Sequence, residues 1–84
     1  MQKGYNSDVE ISGASYHVQT EDWGLKNPFI VTQVFKNGAV IKNIKTPYQQ
    51  ALSRGPVSDE RAIRLAMKDQ HQKILDHLLS GQSL

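Results

Sequence analysis

The sequence predicts a single α+β domain: an antiparallel sheet of two β-hairpins, about four strands, then a short helical turn and a long C-terminal amphipathic helix packed on the sheet. Three observations predict it. Apolar and polar residues alternate through the first half of the chain, Asn37-Gly38 interrupts a run rich in β-branched residues, and the last third repeats its apolar residues at helical spacing. The 84 residues fit one domain over 1–84. A chain of that length buries only ~60–65% of the surface its unfolded form exposes, so its core is modest.

Val9 and Ile11, then Tyr16, Val18 and Thr20, alternate with polar residues on either side of Ser12-Gly13-Ala14-Ser15. This pattern predicts strands over about 7–12 and 15–22. A two-residue Gly13-Ala14 loop sets Ile11 opposite Tyr16 and Val9 opposite Val18 on one face. It sets Glu10 opposite His17 and Asp8 opposite Gln19 on the other. Trp23-Gly24 and Asn27-Pro28 then break the alternation as a connecting loop, with Trp23 expected to cap the core.

The second hairpin, with strands over 29–36 and 39–45, turns at Asn37-Gly38, because a type I′ turn needs positive φ at both central residues. Continued from that turn without interruption, the register sets Phe35 opposite Val40, Val31 opposite Ile44 and Phe29 opposite Thr46. That side is the expected core face. The other side carries Ile30, Val34 and Ile41, which is too apolar for a solvated surface and is therefore a candidate partner-binding surface.

Thr46-Pro47 reads as a helix N-cap followed by proline at the first helical position, so a short helix is expected over about 47–53, tucking Tyr48 and Leu52 under the sheet. Ser58 caps the long helix, expected over about 59–80, with Asp59 and Glu60 at the positive end of its dipole. Gly81 ends it. Glu60–Arg64 and Asp69–Lys73 are favourable i,i+4 pairs. Ile63, Ala66, Met67, Ile74 and Leu78 form the stripe expected to face the sheet, with Gln70 and His77 inside it. A narrower stripe of Leu65, Leu75 and Leu79 points elsewhere. Shielding by neighbouring basic side chains explains it as ordinary surface, and self-association explains it as an interface.

Composition removes several classes of function. The absence of cysteine excludes disulfide staples, thiolate catalysis and cysteine-ligated zinc. No apolar run is long enough to span a bilayer, and the first residues lack a signal peptide's apolar segment, so a cytoplasmic protein without membrane insertion is expected. The net charge of +2 is unevenly spread. Asp8, Glu10, Glu21 and Asp22 make the first hairpin acidic. No acid lies between Asp22 and Asp59, so Lys36, Lys42 and Lys45 make the second hairpin basic.

Strand alternation gathers His17, Gln19 and Glu21 on one face with Glu10 across from them. An imidazole beside carboxylates can share a proton or hold a divalent cation, which makes His17, Glu10 and Glu21 weak candidates for a metal site or a small enzyme centre. A solvated face with cross-strand charge pairing explains the same residues. The count and spacing fall short of a zinc motif, and neither a nucleophile elbow, a phosphate-cradling loop nor a paired-histidine helix is present. No cofactor or catalytic residue is expected. Lys36, Lys42 and Lys45 on a two-stranded ribbon suit nucleic acid, yet pI 9.0 and the few lysines per strand fit a solvated surface as well.

Tyr16-His17-Val18-Gln19-Thr20-Glu21-Asp22, then Asn27-Pro28, then the hairpin form Val-Phe-x-x-Gly-x-Val-Ile at 34–41, resembles a group of short bacterial proteins and domains of uncharacterised function. Thr46-x-Tyr48, Gln70-His71 and the terminal leucines extend the similarity from about Tyr5 to Gly81. It implies a bacterial source and carries no activity or ligand across. The leading expectation is a non-enzymatic protein-binding or assembly domain that forms a homodimer, with Ile30, Val34, Ile41, Leu65, Leu75 and Leu79 as partner-binding candidates. A nucleic-acid module and a metal or enzyme site are the alternatives.

Overall fold

The computed structural model describes residues 4–24, 26–51 and 60–81. Four strands, β1 (Tyr5–Ile11), β2 (Ala14–Asp22), β3 (Phe29–Lys36) and β4 (Ala39–Pro47), form one antiparallel sheet in the order β1-β2-β3-β4. α1 (Tyr48–Ala51) is a single turn, and α2 (Glu60–Leu79) is a helix of 20 residues. The α+β architecture read from the sequence is thus present. The two hairpins, whose mutual order the sequence leaves open, are neighbours through β2 and β3. Leu52, Gly55, Ser58 and Asp59 lie outside the described residues.

Both hairpin turns use two residues of positive φ, Ser12 (52°) with Gly13 (83°) and Asn37 (50°) with Gly38 (89°), as type I′ geometry requires. The first turn is one residue earlier than the Gly13-Ala14 loop expected. Each strand pair is therefore displaced: Ile11 faces Ala14, Val9 faces Tyr16, Glu10 faces Ser15 and Asp8 faces His17. The faces themselves survive, because a displacement by two positions preserves alternation. Asn37 also fastens the hairpins together. Its N–H donates to the Ser15 carbonyl at 2.8 Å, and its Oδ1 accepts from the Ser15 N–H at 3.1 Å.

The second hairpin departs further from expectation. Phe35–Val40 and Lys36–Ala39 pair as the turn dictates, but a bulge follows, Ile41 is passed over, and Val34 pairs with Lys42, Thr32 with Ile44 and Ile30 with Thr46. Ile30, Thr32 and Val34 are then the core side of β3, each 0% exposed. Phe29, Val31 and Phe35 face the other way. The partner-binding reading of Ile30 and Val34 is corrected accordingly: both lie beneath α2 in the chain's own core. Thr46 and Pro47 end β4 rather than starting a helix, and the Tyr48 N–H donates to the Pro28 carbonyl at 2.9 Å.

α2 lies over β1, β2 and β3, and its backbone stays clear of β4. Its buried residues are Ile63, Met67, His71, Ile74 and Leu78. The buried stripe is centred about 40° from the one expected. His71 enters it, Ala66 and Gln70 sit at its margin, and His77 is exposed. Rotation in this direction also draws Leu75 into partial burial, which an apolar side chain favours. Two apolar clusters result. Ile30, Tyr48, Ile63 and Met67 form one, with Tyr5 and Ala51 at its edge. Val18, Val34, Ile74 and Leu78 form the other, joined by Ile11, Tyr16, Ile44 and Leu75. On the outer surface of the helix, the Asp69–Lys73 pair closes at 3.3 Å.

Truncating a fully buried aliphatic residue removes its transfer free energy and leaves a cavity. Ile30→Ala is expected to cost about 2–5 kcal/mol of folding stability, while Val40→Ser, at a position 48% exposed, changes it by no more than ~0.5 kcal/mol. Urea denaturation measures both. The reverse ranking would place the core on the other face of β3.

Candidate functional site

Polar side chains collect at two places. The first is the layer between α2 and the sheet, where His71 is 5% exposed and Thr20 and Thr32 are 0% exposed. His71 Nε2 meets Ser7 Oγ at 2.9 Å and Nδ1 meets Thr20 Oγ1 at 2.8 Å. Thr20 Oγ1 lies 2.7 Å from Thr32 Oγ1, and Gln70 Nε2 donates to Thr32 Oγ1 at 2.9 Å. One direction uses every proton: Gln70 donates to Thr32, Thr32 to Thr20, Thr20 to Nδ1, and Nε2–H to Ser7. Both ring nitrogens meet hydroxyls and no carboxylate orients the ring, so this buried chain lacks the parts of a nucleophile–base–acid triad. It joins helix to sheet.

A second internal pin holds α1. Asp22 Oδ1 accepts from the Tyr48 hydroxyl and, at 2.9 Å, from the Gly24 N–H. Burial, and next the hydrogen bond donated to Asp22 and the charge of that carboxylate, push the Tyr48 phenol up to about 12. The hydroxyl thus stays protonated and donating.

The other place is the face of the sheet opposite α2, which no helix among the described residues covers, and it is the candidate site. Register assembles it in rows. Asp8, His17, Phe35 and Val40 are successive cross-strand neighbours, and so are Asn6, Gln19, Gln33 and Asn43. Glu21, Val31 and Lys45 follow. The middle row is a band of four carboxamides spanning the sheet. Gln19 Nε2 donates to Glu21 Oε2 at 3.3 Å and approaches Gln33 Oε1 at 3.5 Å. Asp8 Oδ1 accepts from His17 Nδ1 at 2.8 Å, and the His17 ring lies against Phe35 with centroids 5.8 Å apart. At the opposite end Lys45 Nζ stands 5.0 Å from the Trp23 ring centroid and 4.7 Å from that of Phe29, within cation–π range. Trp23, 44% exposed, belongs to this surface and does not cap the core.

An open groove of about 660 Å³ runs along the Asp8 end, lined by Asp8, Glu10, Ser15, His17, Gln19 and Phe35 among others. Of the His17, Glu10 and Glu21 set, His17 is paired with Asp8 rather than Glu10, and Glu21 binds Gln19. Among the described residues no three His, Cys, Asp or Glu side chains come together in a way that could hold a metal ion. The three lysines proposed for nucleic acid divide between faces. Lys36 lies on the α2 side over the Tyr16 ring at 5.7 Å, Lys42 opposite Val34 on that same side, and Lys45 on the bare side. Of the leucine stripe, Leu75 packs against the core, while Leu65 and Leu79 are 61% and 62% exposed. They stand 14 positions apart in the sequence, some ~21 Å along the helix.

Sequence reasoning placed His17, Gln19 and Glu21 on one face correctly. It missed the amide band, which needed the register, and it missed His71. Two signals were available for His71: it falls four residues after Met67 and three before Ile74. Scans against protein-family models, curated proteins and solved structures return no match for this chain. Among the described residues no helix is long and apolar enough to cross a membrane.

His71 gives this arrangement a pH signature. Burial, and next the charge of His17, lower its pKa from the ordinary 6.5. Protonation also makes Nδ1 a donor, reverses the Thr20 hydroxyl, and leaves the Thr32 proton without an acceptor in the chain. The unfolded chain binds that proton near pH 6.5 and the native state does so lower. Stability is therefore expected to be full above about pH 6.5 and to fall as pH drops through the window below it. Denaturation midpoints between about pH 7 and pH 5 measure this, and His71→Gln is expected to flatten the slope in that window. An unchanged slope would remove His71 as its cause.

Proposed function

We propose that this chain is a non-enzymatic assembly domain of the cytoplasm that forms a homodimer by packing the bare sheet faces of two copies together. The amide band carries the reading. A carboxamide both donates and accepts, so the row Asn6, Gln19, Gln33 and Asn43 is complementary to a copy of itself. A two-fold interface requires a surface of that kind.

The rows on either side support the same arrangement. A two-fold axis along the amide band lays the Asp8–His17–Phe35 row of one copy over the Glu21–Val31–Lys45 row of the other. His17 then meets a carboxylate, and Phe35 lies over the Glu21–Val31–Lys45 row, in which Val31 is already buried and the exposed Lys45 and half-buried Glu21 are the groups presented. The half-buried rings of Phe29 and Phe35 and the exposed Trp23 supply aromatic anchors of the type that dominate interface energetics. The helix offers less, since Leu65 and Leu79 are separated and Leu75 is engaged in the core.

Sedimentation equilibrium at micromolar concentrations is expected to give about twice the 9.4 kDa chain mass. Phe35→Glu, and separately Gln19→Glu with Gln33→Glu, are expected to weaken the dimer at least ~30-fold, about 2 kcal/mol, in the range of central interface positions. Leu65→Glu with Leu79→Glu is expected to be silent. A monomer at high micromolar concentration, or loss of the dimer only in the leucine variant, would overturn the proposal.

A further inference from the structure

β4 is the other unusual feature of this surface, and it differs from the opposite edge. β1 alternates half-buried and exposed positions because α2 covers one side of it. β4 is exposed at each of its first five residues, Ala39 to Asn43, and the backbone of α2 does not come close to it. Val40 and Ile41 are each 48% exposed. Its position at the end of the sheet leaves the outward backbone N–H and C=O groups without a neighbouring strand among the described residues. A long, open, partly apolar edge is a template for an added strand.

The side chains on that edge restrict what can be added. Lys42 points to the α2 side of the sheet and Lys45 to the bare side, because they are three positions apart in a strand whose alternation is restored after the bulge. Among the described residues neither lysine forms an ion pair, and Lys45 lies over the Trp23 and Phe29 rings. A second β4 carries lysines and no acid, so it offers these two lysines no charge complement. The chain's own β1 is a poor match too: Asp8 and Glu10 are two positions apart and share one face. The complementary strand carries two acids three positions apart, one toward each face.

We propose that the outer edge of β4 binds an extended acidic segment of another protein by strand addition, with Lys42 and Lys45 reading its two carboxylates and the backbone of 39–45 supplying the hydrogen bonds. It shares with the dimer reading the premise that the sheet is the binding element. The two surfaces share Lys45, which stands in the bare-face row with Glu21 and Val31, whereas Lys42 on the α2 side belongs to the edge alone, so Lys42→Glu by itself is expected to weaken peptide binding without touching the dimer.

The test uses fluorescence polarisation of the full chain with labelled octapeptides of alternating threonine and valine carrying two glutamates three positions apart. Saturable binding is expected at one peptide per chain. A version with lysines in place of the glutamates is expected to bind about tenfold or more weakly, as two exposed charge pairs allow. Backbone N-methylation of the glutamate peptide is expected to abolish binding. Lys42→Glu with Lys45→Glu is expected to reverse the preference between the peptides. Phe35→Glu, which tests the dimer, is expected to leave peptide binding intact. Equal binding of the two charge types, tolerance of N-methylation, or no saturation at millimolar peptide would each overturn the inference. So would tighter binding of a short DNA duplex than of the peptide, which would assign the lysines to phosphates.

Discussion

The hydrogen-bonded chain from Gln70 through Thr32 and Thr20 to His71 and Ser7 fixes how the helix meets the sheet. It links α2 to β1, β2 and β3 at one level. Apolar contacts alone tolerate sliding and rotation, since hydrophobic attraction has no direction. A buried hydroxyl or imidazole is different, because losing its partner costs its whole desolvation penalty, about 1–3 kcal/mol. Any other rotation of α2 strands several such groups together. The chain therefore divides the core into two apolar clusters, Met67 with Ile30 on one side and Ile74 with Val18 and Val34 on the other, and sets both in place.

That constraint reaches β4 through Thr32. Once Thr32 must face the helix, Ile30 and Val34 must as well, because strand side chains alternate. The Asn37-Gly38 turn, continued without interruption, would pair Val31 with Ile44 and so send Ile44 to the opposite face from Ile30 and Val34. Passing over Ile41 resolves the conflict. After the bulge Ile44 stands beside Thr32 and packs on the second cluster. The cost is an extra residue with nowhere to go, and Ile41 is left exposed. A demand made by a buried polar group thus produces the most exposed isoleucine in the described core region.

This sequence of causes explains what could be read in advance. Element types and order were legible because they depend on local signals: alternation around Val9 to Thr20, the turn pair Asn37-Gly38, the period of Ile63 to Leu78. The faces of β1 and β2 were legible for the same reason. The face of β3 was not. Phe29, Val31 and Phe35 on one side and Ile30 and Val34 on the other are comparably apolar, and the expectation fell on the side with the two phenylalanines. Only Thr20 and Gln70, the tertiary partners of Thr32, decide the matter. His71 was absent from the expected stripe, since its burial depends on its hydroxyl partners Ser7 and Thr20. Within the candidate site, the residues on β2 were visible as a group, but the band they form with Asn6, Gln33 and Asn43 exists only through pairing.

The division of labour between the two faces follows from the same placement. A sheet of four strands is wider than one helix, and α2 is held over β1, β2 and β3 by hydrogen bonds that none of the β4 side chains enters. The chain thus saturates its own polar groups on one side, where His71, Thr20 and Thr32 are enclosed, and leaves on the other a band of amides whose donors and acceptors have few partners within the molecule. Amides in water lose little by remaining so. They gain only when a surface of matching polarity displaces that water, and a second copy of the same band is such a surface. The buried network specifies the fold by making every alternative rotation costly, whereas the exposed band permits association without obliging it. One set of side chains therefore determines the structure, and the other forms the surface proposed for a second copy.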